Sequence, residues 1–112
     1  VTLIVPAYNE RSCLADKVEN SLAQHYPREH IRFLFVTEGS TDGSDEFLQA
    51  NYAGRVDVLG GSERRGKVAA MNRAMQLVST PIVIFTDANT HLNPEAVQRI
   101  AQHFYDPKVG AV

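Results

Sequence analysis

Pro81-Ile82-Val83-Ile84-Phe85-Thr86-Asp87-Ala88-Asn89-Thr90 is the stretch on which the fold turns. Ile82 to Phe85 are apolar and rich in β-branching, which reads as a strand covered on both faces. The strand runs straight into Asp87, and Asn89 follows two positions on. In an open α/β sheet, ligands gather beyond the carboxyl ends of the strands. An Asp-x-Asn at that edge can set one side chain on a ribose hydroxyl and the other near a divalent cation, because hard ions take oxygen ligands. The same residues also suit a plain turn, closed by Asp87 with Asn89 as an ordinary loop residue. These ten residues alone leave both readings open.

On the amino-terminal side, Val1 to Val5 is a second β-branched run, stopped by Pro6. Asn9 is placed to cap the following helix, with Glu10 in its first turn. Leu14, Val18 and Leu22 recur every four residues, with Ala15 beside them, and give that helix one apolar face lasting to about Gln24. Ile31 to Val36 is the next strand. A short helix with Phe47, Leu48 and Tyr52 inward and a third strand at Val56 to Leu59 follow. Lys67 to Val78 is expected to be helical, with Val68, Met71, Met75 and Val78 on one face. Beyond the central stretch, Asn93-Pro94-Glu95 opens another helix as cap, proline and acid. That helix carries Val97, Ile100, Ala101 and Phe104 inward. Strand and helix alternate throughout, which predicts an α/β domain with a mostly parallel sheet and right-handed crossovers.

The 112 residues suit one domain or part of a larger one, and 44% hydrophobic with 21% charged residues is ordinary for a packed core. A net charge of -2 offers no basic footprint for nucleic acid and no polybasic membrane patch. The longest apolar run falls well short of the roughly 20 residues that span a bilayer. Cys13 stands alone and supports no redox role. Val1 opens a strand without an initiating Met, and Val109-Gly110-Ala111-Val112 resembles another strand just begun. The chain is therefore expected to be part of a longer protein, with further chemistry downstream.

Four loops leave the carboxyl ends of strands: residues 6–10, 37–44, 60–67 and 87–93. Each carries charged residues or glycine, and the topology predicts that they converge on one cleft. Gly61-Ser62-Glu63-Arg64-Arg65-Gly66-Lys67 fits the G-x-x-x-x-G-K pattern of a phosphate-binding loop, and Asp87 would then be the acid that holds Mg2+. Val68 stands where that motif needs a hydroxyl, which disfavours an NTPase. A looser reading keeps Lys67 and nearby amides facing an anion at a helix N-terminus. Asp42-Gly43-Ser44-Asp45-Glu46 is rich in oxygens but lacks the terminal bidentate Glu of a calcium loop, so Asp42 and Ser44 are expected to shape the turn and cap the next helix. Glu38, at the end of a buried strand, can accept a hydrogen bond from a nucleobase N–H. His25, His30, His91 and His103 show no paired metal spacing, and His91 lies two residues beyond Asn89.

Val-Pro-Ala-Tyr-Asn-Glu at 5–10, Glu-Gly-Ser-Thr-Asp-Gly-Ser at 38–44, Arg-Gly-Lys-Val-Ala-Ala-Met-Asn at 65–72 and Thr-Asp-Ala-Asn at 86–89 come in the order and spacing of family 2 glycosyltransferases. The chain resembles the nucleotide-sugar-binding part of their GT-A fold, a Rossmann-like three-layer α/β/α arrangement, over nearly its whole length. The resemblance implies an inverting hexosyltransferase that takes a UDP- or GDP-sugar. It implies that Pro6, Ala7, Tyr8 and Glu10 border base and ribose. By the same resemblance Glu38 contacts the base, Lys67 lies near the nucleotide, Asp87 contacts the ribose with Ala88 beside it, and Asn89 takes the place of a metal-binding Asp. Mg2+ or Mn2+ on the diphosphate is implied, with Asp87 and Asn89 as its protein ligands. Two departures stand out: Glu38 replaces a shorter Asp, and neutral Asn89 replaces a charged one. The resemblance further implies a catalytic base downstream, a cytoplasmic place at the inner face of the membrane for the full-length protein, and a segment that does not transfer sugar alone. A non-catalytic nucleotide-sugar-binding module is the alternative to an enzyme.

Overall fold

A computed structural model describes residues 1–37, 40–60, 67–80 and 82–104, with Arg28 and Lys67 described by backbone alone. The elements in chain order are β1 (Thr2–Pro6), α1 (Arg11–Leu22), β2 (Arg32–Val36), α2 (Ser44–Tyr52), β3 (Asp57–Leu59), α3 (Lys67–Gln76), β4 (Val83–Phe85) and α4 (Ala96–His103), with one 3-10 turn at Arg28–His30. The strands form a parallel sheet in the order β3-β2-β1-β4. Thr2 pairs with Arg32 on one side and Val83 on the other, so the central stretch lies beside the first strand as expected.

Alternate residues of the buried strands serve two cores, as the period of two demands. Leu3, Val5, Phe33 and Phe35 pack with Leu14 and Val18 of α1, Leu48 and Tyr52 of α2, and Val97 and Ala101 of α4. Ile4, Leu34 and Val36 face the other way, against Ala74 with Ala70 and Met71 of α3. The result is a three-layer α/β/α domain with, among the described residues, three helices on one face and one on the other. The central strand is shorter than expected and is not covered on both faces: Phe85 is 51% exposed. Only α3 shields that face among the described residues, and it does not extend over Phe85.

The helix faces depart from the sequence pattern in three places. In α1, Ala15 is exposed and Leu22 only half-buried, whereas Lys17 and Ser21 are buried beside Leu14 and Val18. In α3, Val68 is 75% exposed and Met75 also faces water. Its inward row is Ala70, Met71 and Ala74, because small residues let the helix sit close to β1 and β2. In α4 the helix proper begins at Ala96, after Glu95. Asn93 still accepts a hydrogen bond at Oδ1 from the Glu95 amide (3.0 Å), so it organises the turn ahead of the helix rather than its first residue.

Candidate functional site

The ends of β1, β2 and β4 are held at one level by their register. Pro6 pairs with Val36, and the Thr86 amide donates to the Ile4 carbonyl at 3.0 Å. The 6–10 and 40–44 loops are then tied together side chain to backbone. Asn9 has φ 51°, the left-handed region that Asn tolerates, and this turns its side chain across to the second loop. Its Oδ1 accepts from the Thr41 amide (2.7 Å), and its own amide donates to Ser40 Oγ (2.9 Å). Ser40 Oγ in turn donates to the Ala7 carbonyl (3.3 Å). Asn9 therefore does not cap α1. Glu10 occupies the cap position, without a side-chain cap bond, rather than the first turn.

The amino end of α1 is served instead from the neighbouring loop: Asp42 Oδ2 accepts from the Arg11 amide at 3.0 Å. Asp42 Oδ1 accepts from the Ser44 amide (3.2 Å) and from the Ser44 hydroxyl. Gly43 holds φ 81° at the cap of α2, so Asp42 and Ser44 shape the turn as expected while glycine supplies the cap. Burial alone would raise the Asp42 carboxyl, but the Ser44 hydroxyl and the Arg11 and Ser44 amides outweigh it and hold the group below its ordinary range. A carboxylate with a depressed folded pKa stabilises above its unfolded pKa, and that contribution is lost as pH falls through the folded value. Asp42→Ala is expected to cost about 1 kcal/mol at pH 7 and to flatten the acid limb of stability. Thermal melts at pH 7 and pH 3 check this; equal losses at both would contradict it.

The Thr86 to Asn93 loop is gripped by a polar row on α1 and the turn that follows it. Lys17 Nζ donates to Thr86 Oγ1 (2.9 Å) and to the Thr90 carbonyl (2.5 Å). Asn20 donates to the Leu92 carbonyl and accepts from the Leu92 amide, both at 2.8 Å. Gln24 donates to the Asn93 carbonyl (3.0 Å) and accepts from the Val97 amide (3.1 Å). Positions 17 and 20 share one face of α1 by the three-residue spacing, and Gln24 continues the row from the turn after the helix. A search of the sequence for apolar periodicity passes over this row, and its signal was the polar repeat itself. Lys17 is 1% exposed. Burial pushes its ammonium below the ordinary lysine range, and the negative charge of Asp87 works against that.

Pro6, Met71, Phe85, Thr86, Asp87 and Thr90 line an open cleft of about 570 Å3 at this edge. Asp87 and Asn89 are exposed, Glu10 is half-buried and Tyr8 is 40% exposed. Ala7 and Ala88 belong to the core, where their side chains anchor the turns that carry Tyr8, Asp87 and Asn89. His91 is exposed on the same loop, while His25 lies beside the start of α4, 3.9 Å from Glu95. Glu38, residues 61–66 and the Lys67 side chain lie outside the described residues. Among the described residues, no cluster of three or more His, Cys, Asp or Glu could hold a metal by itself. Asp87 and Asn89 offer one carboxylate and one amide oxygen. That set fits a hard cation completed by phosphate oxygens and water, and it does not fit a resident ion held by protein alone. Among the described residues, no helix is long and apolar enough to cross a membrane.

The profile of Glycosyl transferase family 2 matches residues 2–112. The chain is 31% identical over 117 aligned residues to a poly-beta-1,6-N-acetyl-D-glucosamine synthase of Staphylococcus aureus (strain COL), covering all of this chain and 27% of that protein. It superposes with a TM-score of 0.86 on the mannosyltransferase PcManGT of Pyrobaculum calidifontis, solved with GDP-Man and Mn2+, at 31% identity over 97% of this chain and 33% of that one. Staphylococcus aureus TarS, solved with UDP-GlcNAc, shares the fold at a TM-score of 0.78 and 21% identity, with 95% of this chain and 31% of that one covered. The chain thus spans about a quarter to a third of the length of these proteins. The parallel order β3-β2-β1-β4, the shared carboxyl edge and the match along the whole chain lead to one assignment: this chain belongs to Glycosyl transferase family 2.

Proposed function

We propose that residues 1–112 are the nucleotide-sugar-binding part of a glycosyltransferase whose remaining chain supplies the acceptor site and the catalytic base. The observation that carries this reading is the shared edge. Asp87 opens on a cleft with Pro6 and Met71, and the 6–10 loop above it is fastened to the 40–44 loop. The donor is a UDP- or GDP-sugar. Tyr8 and Glu10 border its base and ribose, Glu38 contacts the base, Asp87 accepts from a ribose hydroxyl, and Lys67 lies near the nucleotide. Asp87 and Asn89 would hold Mg2+ or Mn2+ together with the diphosphate. Such an ion would neutralise charge developing on the leaving group. The likeness to a mannosyltransferase solved with GDP-Man and Mn2+ supports donor and metal class alike. Asn89 lacks the charge of an Asp, so metal affinity leans on the phosphates, and donor and metal bind as a pair. The protein works at the cytoplasmic side of a membrane.

Titration of the full-length protein with UDP, GDP and ATP, each with and without Mn2+, tests the reading. One diphosphate is expected to bind at least tenfold more tightly than ATP, and Mn2+ to tighten it. An NTPase of the Gly61 to Lys67 type would prefer ATP, and Val68→Thr would improve its metal site. Val68 faces water here, so that substitution is expected to change neither binding nor stability. ATP binding that tightens in the variant would overturn the assignment.

A further inference from the structure

Lys17 is a long cationic side chain with almost no surface, and the expected donor contacts make no use of it. Buried ammonium groups are rare unless paired, because removing the charge from water is costly. Its hydrogen bonds are unevenly placed. They go to Thr86 Oγ1 (2.9 Å) and the Thr90 carbonyl (2.5 Å), the two ends of the turn that carries Asp87, Ala88 and Asn89. A second, backbone bond closes the same turn, from the Thr90 amide to the Asp87 carbonyl (3.2 Å). The Lys17 side chain comes from beneath, out of α1, and at 1% exposure it cannot reach a ligand in the cleft. Thr86, which accepts one of its bonds, lines that cleft together with Asp87 and Thr90.

We infer that Lys17 is a positioning residue of the nucleotide site: it clamps both ends of the Thr86–Thr90 turn so that the Asp87 carboxylate is held ready at the cleft. This rests on the reading of Asp87 as a donor contact. An apolar residue of similar length would fill the space, at the cost of leaving the Thr86 hydroxyl and the Thr90 carbonyl without their donor. The value of the ammonium lies in order. A turn held at both ends has already lost the freedom that ligand binding would otherwise remove. Asn20 and Gln24 continue the clamp along the loop but grip it beyond residue 91, away from Asp87.

The test is a double-mutant cycle in the full-length protein, read by calorimetric titration with UDP and with GDP in the presence of Mn2+. Lys17→Met keeps most of the length, being one atom shorter, and removes the donors. It is expected to weaken the preferred nucleotide by about tenfold, which is ~1.4 kcal/mol. The same change in an Asp87→Ala background is expected to cost less than twofold, because Lys17 acts through Asp87. Equal losses in both backgrounds would mean a general structural role and overturn the inference. So would wild-type affinity in Lys17→Met alongside a weakened Asp87→Ala, an outcome that leaves the donor-site reading standing. Wild-type affinity in Asp87→Ala removes Asp87 from the site and the inference with it. Should Lys17→Met fail to fold, Thr86→Val removes one acceptor of the clamp at constant shape. The same coupling to Asp87 is expected, and its absence overturns the inference equally.

Discussion

Asp87→Ala in the full-length protein is expected to weaken nucleotide-diphosphate binding by about ten- to a hundredfold while leaving the melting temperature nearly unchanged. The two halves of that expectation have separate causes. Asp87 is exposed at the end of β4, and its backbone is fixed by neighbours that the substitution does not touch: Thr86 by the Ile4 carbonyl, Thr90 by Lys17, and Ala88 by the core. Surface substitutions of that kind usually stay within about 0.5 kcal/mol. Binding is different, because a ligand hydroxyl that loses a charged acceptor loses on the order of 1.5–3 kcal/mol. At 1.4 kcal/mol per decade, that is about one to two decades of affinity. Calorimetry with UDP and GDP beside a thermal melt checks both halves. Unchanged affinity would remove Asp87 from the site. A fall in melting temperature of several degrees would show instead that the side chain holds the fold.

What the sequence could and could not reveal follows from which signals are local. Strand positions were legible because β-branched runs bounded by Pro6, Pro27 and the loops have few alternatives, and parallel order follows from alternation with helices. The loops at the carboxyl edge were legible as a set for the same reason. Side-chain roles inside them were not. Asn9 has the composition of a helix cap, but its left-handed backbone sends its oxygen to Thr41. That choice depends on a loop 31 residues away in the chain, which no local window contains. The expected apolar row of α3 holds at Met71 and Val78 and fails at Val68 and Met75, because hydrophobicity ranks those two above Ala70 and Ala74, while close approach to the sheet favours the small residues. Lys17 was missed because a lysine is counted as surface by default, and only the descent of the Thr86–Thr90 turn onto α1 makes its burial tolerable.

The two faces of the sheet differ in depth, and that difference yields the second large effect. Phe35 lies in β2 with no exposed surface, between β1 and β3, under α1 and α2. Its replacement by Ala leaves a cavity that neighbouring strands cannot close without breaking their ladder. Phe35→Ala is therefore expected to cost about 3–5 kcal/mol, the range for large-to-small changes in a rigid core. Phe85→Ala, on the thinner face where the ring is half exposed, is expected to cost about 1 kcal/mol or less, since little of its area leaves water on folding. The pair also separates stability from function. Phe85 lines the cleft with Asp87 and Phe35 does not. Phe85→Ala should thus weaken nucleotide binding in a protein that still melts near the wild-type temperature. Phe35→Ala should melt far lower yet bind normally in the fraction that remains folded at low temperature. Denaturant titration gives the first comparison, and calorimetry at 10 °C gives the second. A Phe35→Ala protein as stable as Phe85→Ala would mean that the β2 layer is looser than its burial implies.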